Sequence, residues 1–478
     1  MLKKETSFKK IYRFLVYAMP AILYFSFRPW INLGSNDTMN FDLSLPLIWL
    51  VLFDILAFIL VVKKKQIKQI FNKWMWLLLP VFLTLSILWS HDKLRSVMII
   101  GVLWLLYFAV FSFSILQDEI SDEKFKRVFL KIFFGVGIFV CIWCFMQCIM
   151  DVMGVSQGNT LLCEGCVYRI FGFPHPNGFA AEPQFMGNLL LAPIFVSLYL
   201  LVKQKYFSRR SLVIMLFVFT ATLFLTLSRG AIYAFVVAMI FFTIMWGIKR
   251  AWRVLWVWLV IGLAFLFTLN MQGIFSEVSK TDDTYIAVVS KAINQLTLGI
   301  VDLGGSQIKK DGIEENIEGM DVGAIENVET EDLENEKAVF DGYVEVSTDN
   351  RLDAWNGALK TWTKDPATVI FGVGLGSGLI SMYENGAIAS SREIINNQYV
   401  SLLLESGIIG IGLLILSLSL VFITIRKNSA CLLIMTLVIA YGVSLCFFSG
   451  LPNALHIYLL PAILMVIFRG GKSSYRKQ

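Results

Sequence analysis

Three arginines offer the clearest chemistry in this chain. Arg229 interrupts the apolar stretch "LFLTLSRGAIYAFVV" (223–237), Arg169 lies in "CVYRIFGFPHPNGFAAEPQFMGN", and Arg351 lies in "TDNRLDAWNGALKTW". A guanidinium keeps its charge and presents a planar fork that matches phosphate oxygens two at a time. The plain alternatives are a snorkelling interfacial anchor for Arg229 and surface ion pairs for the other two. Three further groups could move a proton. His175 and Glu182 stand close together in "HPNGFAAE", and Glu405 lies in "NNQYVSLLLESGIIGIG". Each could take a proton from an attacking hydroxyl. Their plain counterparts are a surface histidine in a Pro-Gly loop and, for Glu405, a buried partner for an arginine.

The elements that must hold these groups follow from composition. Of 478 residues 57% are hydrophobic and 16% charged, against about 25% charged in soluble domains. Apolar runs of about 20 residues recur, each long enough to cross a bilayer as a helix. Membrane β-barrels need short alternating segments instead. The expectation is an all-α polytopic membrane protein of about twelve transmembrane helices, at 12–29, 44–62, 73–90, 96–116, 128–150, 182–202, 211–227, 230–247, 254–272, 397–424, 430–449 and 454–468. The first run follows four lysines but no small-residue cleavage site, so it reads as an uncleaved span. Basic clusters mostly follow even-numbered spans, which puts them and both termini in the cytoplasm. Lys93 and Arg95 strain that pattern, since they fall in a short external turn. The net charge of +6 needs no nucleic acid to explain it.

The chain then divides into a first bundle at 1–272, a large external loop at 273–396, three last spans at 397–468 and a cytoplasmic tail at 469–478. The first bundle includes an external loop at 151–181. Within the large loop, about 309–345 is acidic and poor in aromatics, which reads as a solvated, mobile insertion.

Basic residues flank the run 211–247 on both sides: Arg209 and Arg210 before, Lys249 and Arg250 after. Both ends are therefore cytoplasmic, and the run is a tight hairpin with Arg229 at its outer tip. An arginine at the bilayer centre costs about 2.5–3.5 kcal/mol on insertion scales and less at the interface. Arg169 and Arg351 fall on the same external side, where the positive-inside bias disfavours them. An arginine cluster at the outer leaflet suits a lipid-linked diphosphate.

The stretch "DNRLDAWNGALKTWTKDP" predicts a helix capped by Asp349 or Asn350 and ended by Pro366. Arg351, Trp355, Ala358 and Trp362 share one face, with Leu352 and Leu359 beside it. Packing explains the tryptophans at least as well as ligand contact. "FGVGLGSG" (371–378) lacks the spacing of a nucleotide loop. It predicts a tight loop whose backbone approaches something closely, with an anion cradle as the weaker alternative. Asn396, Asn397 and Gln398 open the tenth span at its outer mouth. Cys141, Cys144 and Cys148 share a helix face and read as packing, while Cys163 and Cys166 are external and could form a disulfide. No metal-ligand spacing is present, and no metal or cofactor is expected.

Together, "RIFGFPHPNGFAAEP", "LTLSRGA", the arginine–tryptophan helix with its glycine-rich loop, and "NQYVSLLLESGIIG" resemble the O-antigen ligase and polysaccharide repeat-unit polymerase (Wzy-like) superfamily. The resemblance covers roughly 165–450. It implies a metal-independent glycosyltransferase of the bacterial cytoplasmic membrane with its active site facing outward. It implies undecaprenyl-diphosphate-linked glycan donors and acceptors, the lipid bilayer as surroundings, and flippase and chain-length regulator proteins as candidate partners. It assigns the diphosphate to Arg169, Arg229 and Arg351. Candidate bases are Glu182, Glu405 and His175, and candidate positioning groups are Asn396, Asn397, Gln398 and Trp355. Ligases usually carry a His-Asn pair where this chain has Asn396-Asn397, which favours the polymerases. The rival expectations are a ligase acting on a cell-wall or other acceptor and, from another class, a transporter of the lipid-linked oligosaccharide.

Overall fold

The computed structural model describes residues 7–26, 30–35, 40–71, 74–153, 175–180, 182–247, 251–278, 290, 293, 343–388, 395–426, 428, 430–450 and 454–469. Arg169, Cys163, Cys166, Arg392 and most of the acidic insertion lie outside them. Each of the twelve apolar segments lies on a helix. In chain order these are α1 (Ser7–Tyr24), α2 (Leu45–Lys63), α3 (Trp74–Trp89, with 3-10 turns at both ends), α4 (Lys93–Ile115), α5 (Glu123–Val152), α6 (Pro183–Lys203), α7 (Arg209–Leu225), α8 (Arg229–Gly247) and α9 (Ala251–Val278). After α10 (Tyr343–Trp362) come α11 (Gln398–Ile425), α12 (Cys431–Ser444) and α13 (His456–Ile467). Among the described residues, seven helices are long and apolar enough to cross a membrane: α2, α4, α5, α6, α8, most of α9, and α11.

Three features depart from the expected outline. Residues Trp30–Ser35 and Asn40–Ser44 pair as an antiparallel hairpin, β1 and β2, between α1 and α2. Helix α1 accordingly stops at Tyr24 rather than running on to 29. Helix α10 begins at Tyr343, inside the stretch read as mobile and well before Asp349, and it ends at Trp362. Pro366 instead opens a separate short helix, Pro366–Phe371, capped by Asp365. Proline suits that first-turn position because its missing N–H would be unpaired there anyway.

The main core is an apolar cluster running through α1, α2, α4–α9, α12 and α13. Helix α6 sits at its centre, with every residue from Met186 to Leu200 buried. Cys141 and Cys144 are fully buried free thiols within this packing, and Cys148 is a buried free thiol in a small cluster with Leu225 and Phe275. At one face of the bundle, Arg13 Nε donates to the Glu119 carbonyl at 2.6 Å, Lys9 pairs with Glu119 at 2.8 Å and Lys64 pairs with it too. Arg469 donates to Gln117 at 3.1 Å. The start of α1, the end of α2 and the end of α13 therefore share one side. The hairpin tip between α7 and α8 is at the other.

Candidate active site

The turn Thr226–Ser228 joins α7 to α8, with Leu227 in the left-handed region at φ 46°. Arg229 opens α8 and is only 9% exposed, so it is a buried charge rather than a snorkelling anchor. Tyr233, one turn further on, lies within its electrostatic reach. Small residues let α6 come close to this tip. A Cβ on Gly187 would stand 2.7 Å from Ala231 Cβ and 3.2 Å from Ser228 Cβ. A Cβ on Gly230 would stand 2.7 Å from Phe447 Cβ. Gln184 completes the contact by donating to the Phe447 carbonyl at 2.9 Å. The starts of α6 and α8 and the turn after α12 thus meet at one place.

Glu182 immediately precedes α6, and its side chain makes no cap hydrogen bond. It is open to solvent. The protein around it still displaces enough water to raise its pKa, against the opposing pull of Arg351. Arg351 therefore lies within electrostatic reach of Glu182, although 169 positions separate them (351 − 182). Helix α10 makes this possible. Ala358 is buried, and Trp355 and Trp362 pack on Leu379, Met382, Ile395 and Leu404. That is the face the spacing predicts, except that Leu352 and Leu359 are 45% and 40% exposed. The face is seated on the short helix Gly378–Glu384 and on α11, which leaves Arg351 at the Glu182 edge.

His175 is buried, and burial lowers its pKa to about 3. It is neutral at physiological pH and a poor base, contrary to a surface histidine. Its loop is clamped by Gln147 of α5: the amide oxygen accepts from Gly178 N–H at 2.8 Å, and the amide nitrogen donates to Asn177 at 3.0 Å. Phe179 stacks on Trp143 at 5.5 Å.

Glu405 lies away from Arg229 and Arg351, in a different setting. Gly407 breaks α11 with φ 61°, which frees the carbonyls just before it. Val373 N–H donates to Leu404 O and Gly374 N–H to Glu405 O, both at 3.0 Å. The Glu405 carboxylate accepts from the amides of Gly376 and Gly378, the latter at 3.3 Å, and Arg95 lies within electrostatic reach. The glycine loop does cradle an anion, and that anion is the protein's own side chain. Its close approaches are also real. A Cβ on Gly372 would stand 2.3 Å from Glu405 C, and one on Gly374 2.7 Å from Ser90 Cα. On its far side the loop is held by Ser86, which accepts from Leu375 N–H at 3.1 Å, and by the Ser90–Ser377 hydroxyl contact at 2.5 Å.

The outer mouth of α11 is largely committed to structure. Asn397 caps the helix, accepting from Tyr399 and Val400 N–H at 3.0 and 3.1 Å. Gln398 accepts from Gly450 N–H at 2.7 Å, and its own N–H donates to Leu445 O at 2.9 Å. Asn396 is half-buried beside them. Sequence reasoning missed Gln184 and Gln147, which are legible only as polar residues inside apolar runs. It noticed Arg95 only as an awkward external charge.

Residues 211–415 match the family model described as O-antigen ligase. No curated protein and no solved structure matches the chain. The matched segment runs from the hairpin bearing Arg229, through Arg351 and the glycine loop, to Glu405 and the break in α11, and over that stretch the chain is similar to the O-antigen ligase family.

Proposed function

We propose that this protein polymerises undecaprenyl-diphosphate-linked oligosaccharide repeat units into a surface polysaccharide, at the outer face of the bacterial cytoplasmic membrane. One observation carries the reading: a buried arginine at the tip of a membrane hairpin, beside the helix start where Glu182 lies within electrostatic reach of Arg351. Arg229 and Arg351 take the diphosphate of the donor, and the resemblance assigns Arg169 to the same group. Diphosphate is a good leaving group once its developing charge is stabilised, so cations aimed at it do most of the work. The acceptor hydroxyl attacks the anomeric carbon, the bond from that carbon to the diphosphate oxygen breaks, and the proton passes to Glu182. Both substrates are lipid-anchored, so sharing one plane aligns them before any chemistry. The reading rests on the family match for the class of reaction and on the convergence around Glu182 for the site.

The ligase reading remains the close alternative, since the matched family is described by that activity. Asn396 favours the polymerase, because it stands where ligases usually carry the histidine of a His-Asn pair. Cells lacking the protein decide between the two. A lost polymerase leaves single repeat units on lipid, whereas a lost ligase leaves long lipid-linked chains.

A further inference from the structure

A set of buried polar groups lies in the outer third of the bundle and has no hydrogen-bond partner among the described residues. They are the Tyr24 and Tyr441 hydroxyls, both ring nitrogens of His456, and both amide atoms of Asn188. All four residues are at most 3% exposed. Each lies within six residues of the outer end of its helix: Tyr24 ends α1, Asn188 is early in α6, Tyr441 is late in α12, and His456 opens α13. Tyr24 lies within electrostatic reach of Tyr441, and the Tyr441 and His456 rings are 6.0 Å apart. Asn188 is four residues after Gln184 and so lies one turn beneath it on the same helix face. That face meets Gly230 and Phe447, next to Arg229.

Burying such a group without a partner costs about 1–3 kcal/mol, and leucine or phenylalanine would fill the same space without that cost. Groups retained at such a cost are expected where the function needs them. Two phenols, an imidazole and a carboxamide are neutral, and each can donate or accept a hydrogen bond. That is a donor set for hydroxyl oxygens, not for a phosphate or a metal ion.

We infer that Tyr24, Asn188, Tyr441 and His456 form a carbohydrate subsite beneath the Arg229 rim, hydrogen-bonding the hydroxyls of the sugar next to the diphosphate. This rests on the proposed function, because the arginines must first place the diphosphate above it. The ligand is a saccharide hydroxyl, and a resident water is the other source of the same chemistry.

The test measures binding of two probes to the full-length protein in nanodiscs: undecaprenyl diphosphate, and the same lipid carrying one N-acetylglucosamine. The inference expects the sugar to tighten binding about tenfold. It also expects Tyr441→Phe, Asn188→Leu and His456→Leu to abolish that increment while leaving binding of the bare lipid intact. Thermal midpoints of the variants should be unchanged or higher. Equal binding of both probes by the wild type, or an increment that survives in the variants with raised midpoints, would mean the groups hold only water and overturn the subsite. Lower midpoints with the increment intact would make them props of the fold and overturn it too. If neither probe binds the wild type, the proposed function fails, and the subsite falls with it.

Discussion

At the scale of single residues, the structure separates three carboxylate and imidazole candidates that look alike in sequence. Partial desolvation by the surrounding protein holds Glu182 above the usual carboxylate range, with Arg351 pulling the other way. As a base it works only when ionised, so activity should fall as pH drops through that raised value. Glu182→Gln should lose about 10²–10⁴-fold and flatten the acid limb of the pH profile. An unchanged limb in that variant would assign the titration to another group. Glu405→Gln should behave differently. Its amide oxygen still accepts from Gly378, while the charge near Arg95 is gone, so activity should drop with the acid limb unmoved. The arginines were legible because charge is conspicuous in apolar sequence. The separation of Glu405 from Glu182 was not, since it depends on a break at Gly407 that a single glycine does not announce.

At the scale of elements, the twelve apolar segments and the packing face of α10 were readable, because periodicity and length record burial directly. The hairpin β1–β2 and the early start of α10 were not, since capping residues such as Asp349 also occur inside helices. The glycine loop is the element whose geometry is most constrained. Gly374 has φ +94°, and a methyl group there would meet Ser90 backbone. Gly374→Ala should therefore destabilise the protein by about 1–3 kcal/mol. Gly412→Ala, which meets nothing within 4 Å, is the control and should leave the thermal midpoint unchanged. Equal midpoints in the two variants would show that the loop does not anchor α11.

At the scale of the whole molecule, α1, α2, α5 and α13 are tied together at one face around Gln117, Glu119 and Asp122. Burial alone would raise the Glu119 pKa, but the ammonium groups of Lys64 and Lys9 hold it below its ordinary value of 4.5. A depressed carboxylate contributes stability that is complete above the unfolded value and lost as pH falls through the folded one. Glu119→Gln should therefore have a lower thermal midpoint than the wild type at neutral pH, and the gap should close as pH falls through the folded-state value of Glu119. The start of α1 and the end of α13 lie on this face, opposite the Arg229 tip, so the proposed chemistry at the tip sits at the far end of the bundle from them. The measurement that tests this account most directly uses the purified protein in liposomes with an undecaprenyl-diphosphate-linked repeat unit and no nucleotide sugar. The account predicts a ladder of polymer lengths in the wild type, and loss of the ladder in Arg229→Ala at normal protein levels. A full ladder from Arg229→Ala, or lipid moved across the bilayer with no glycan joined, would contradict it.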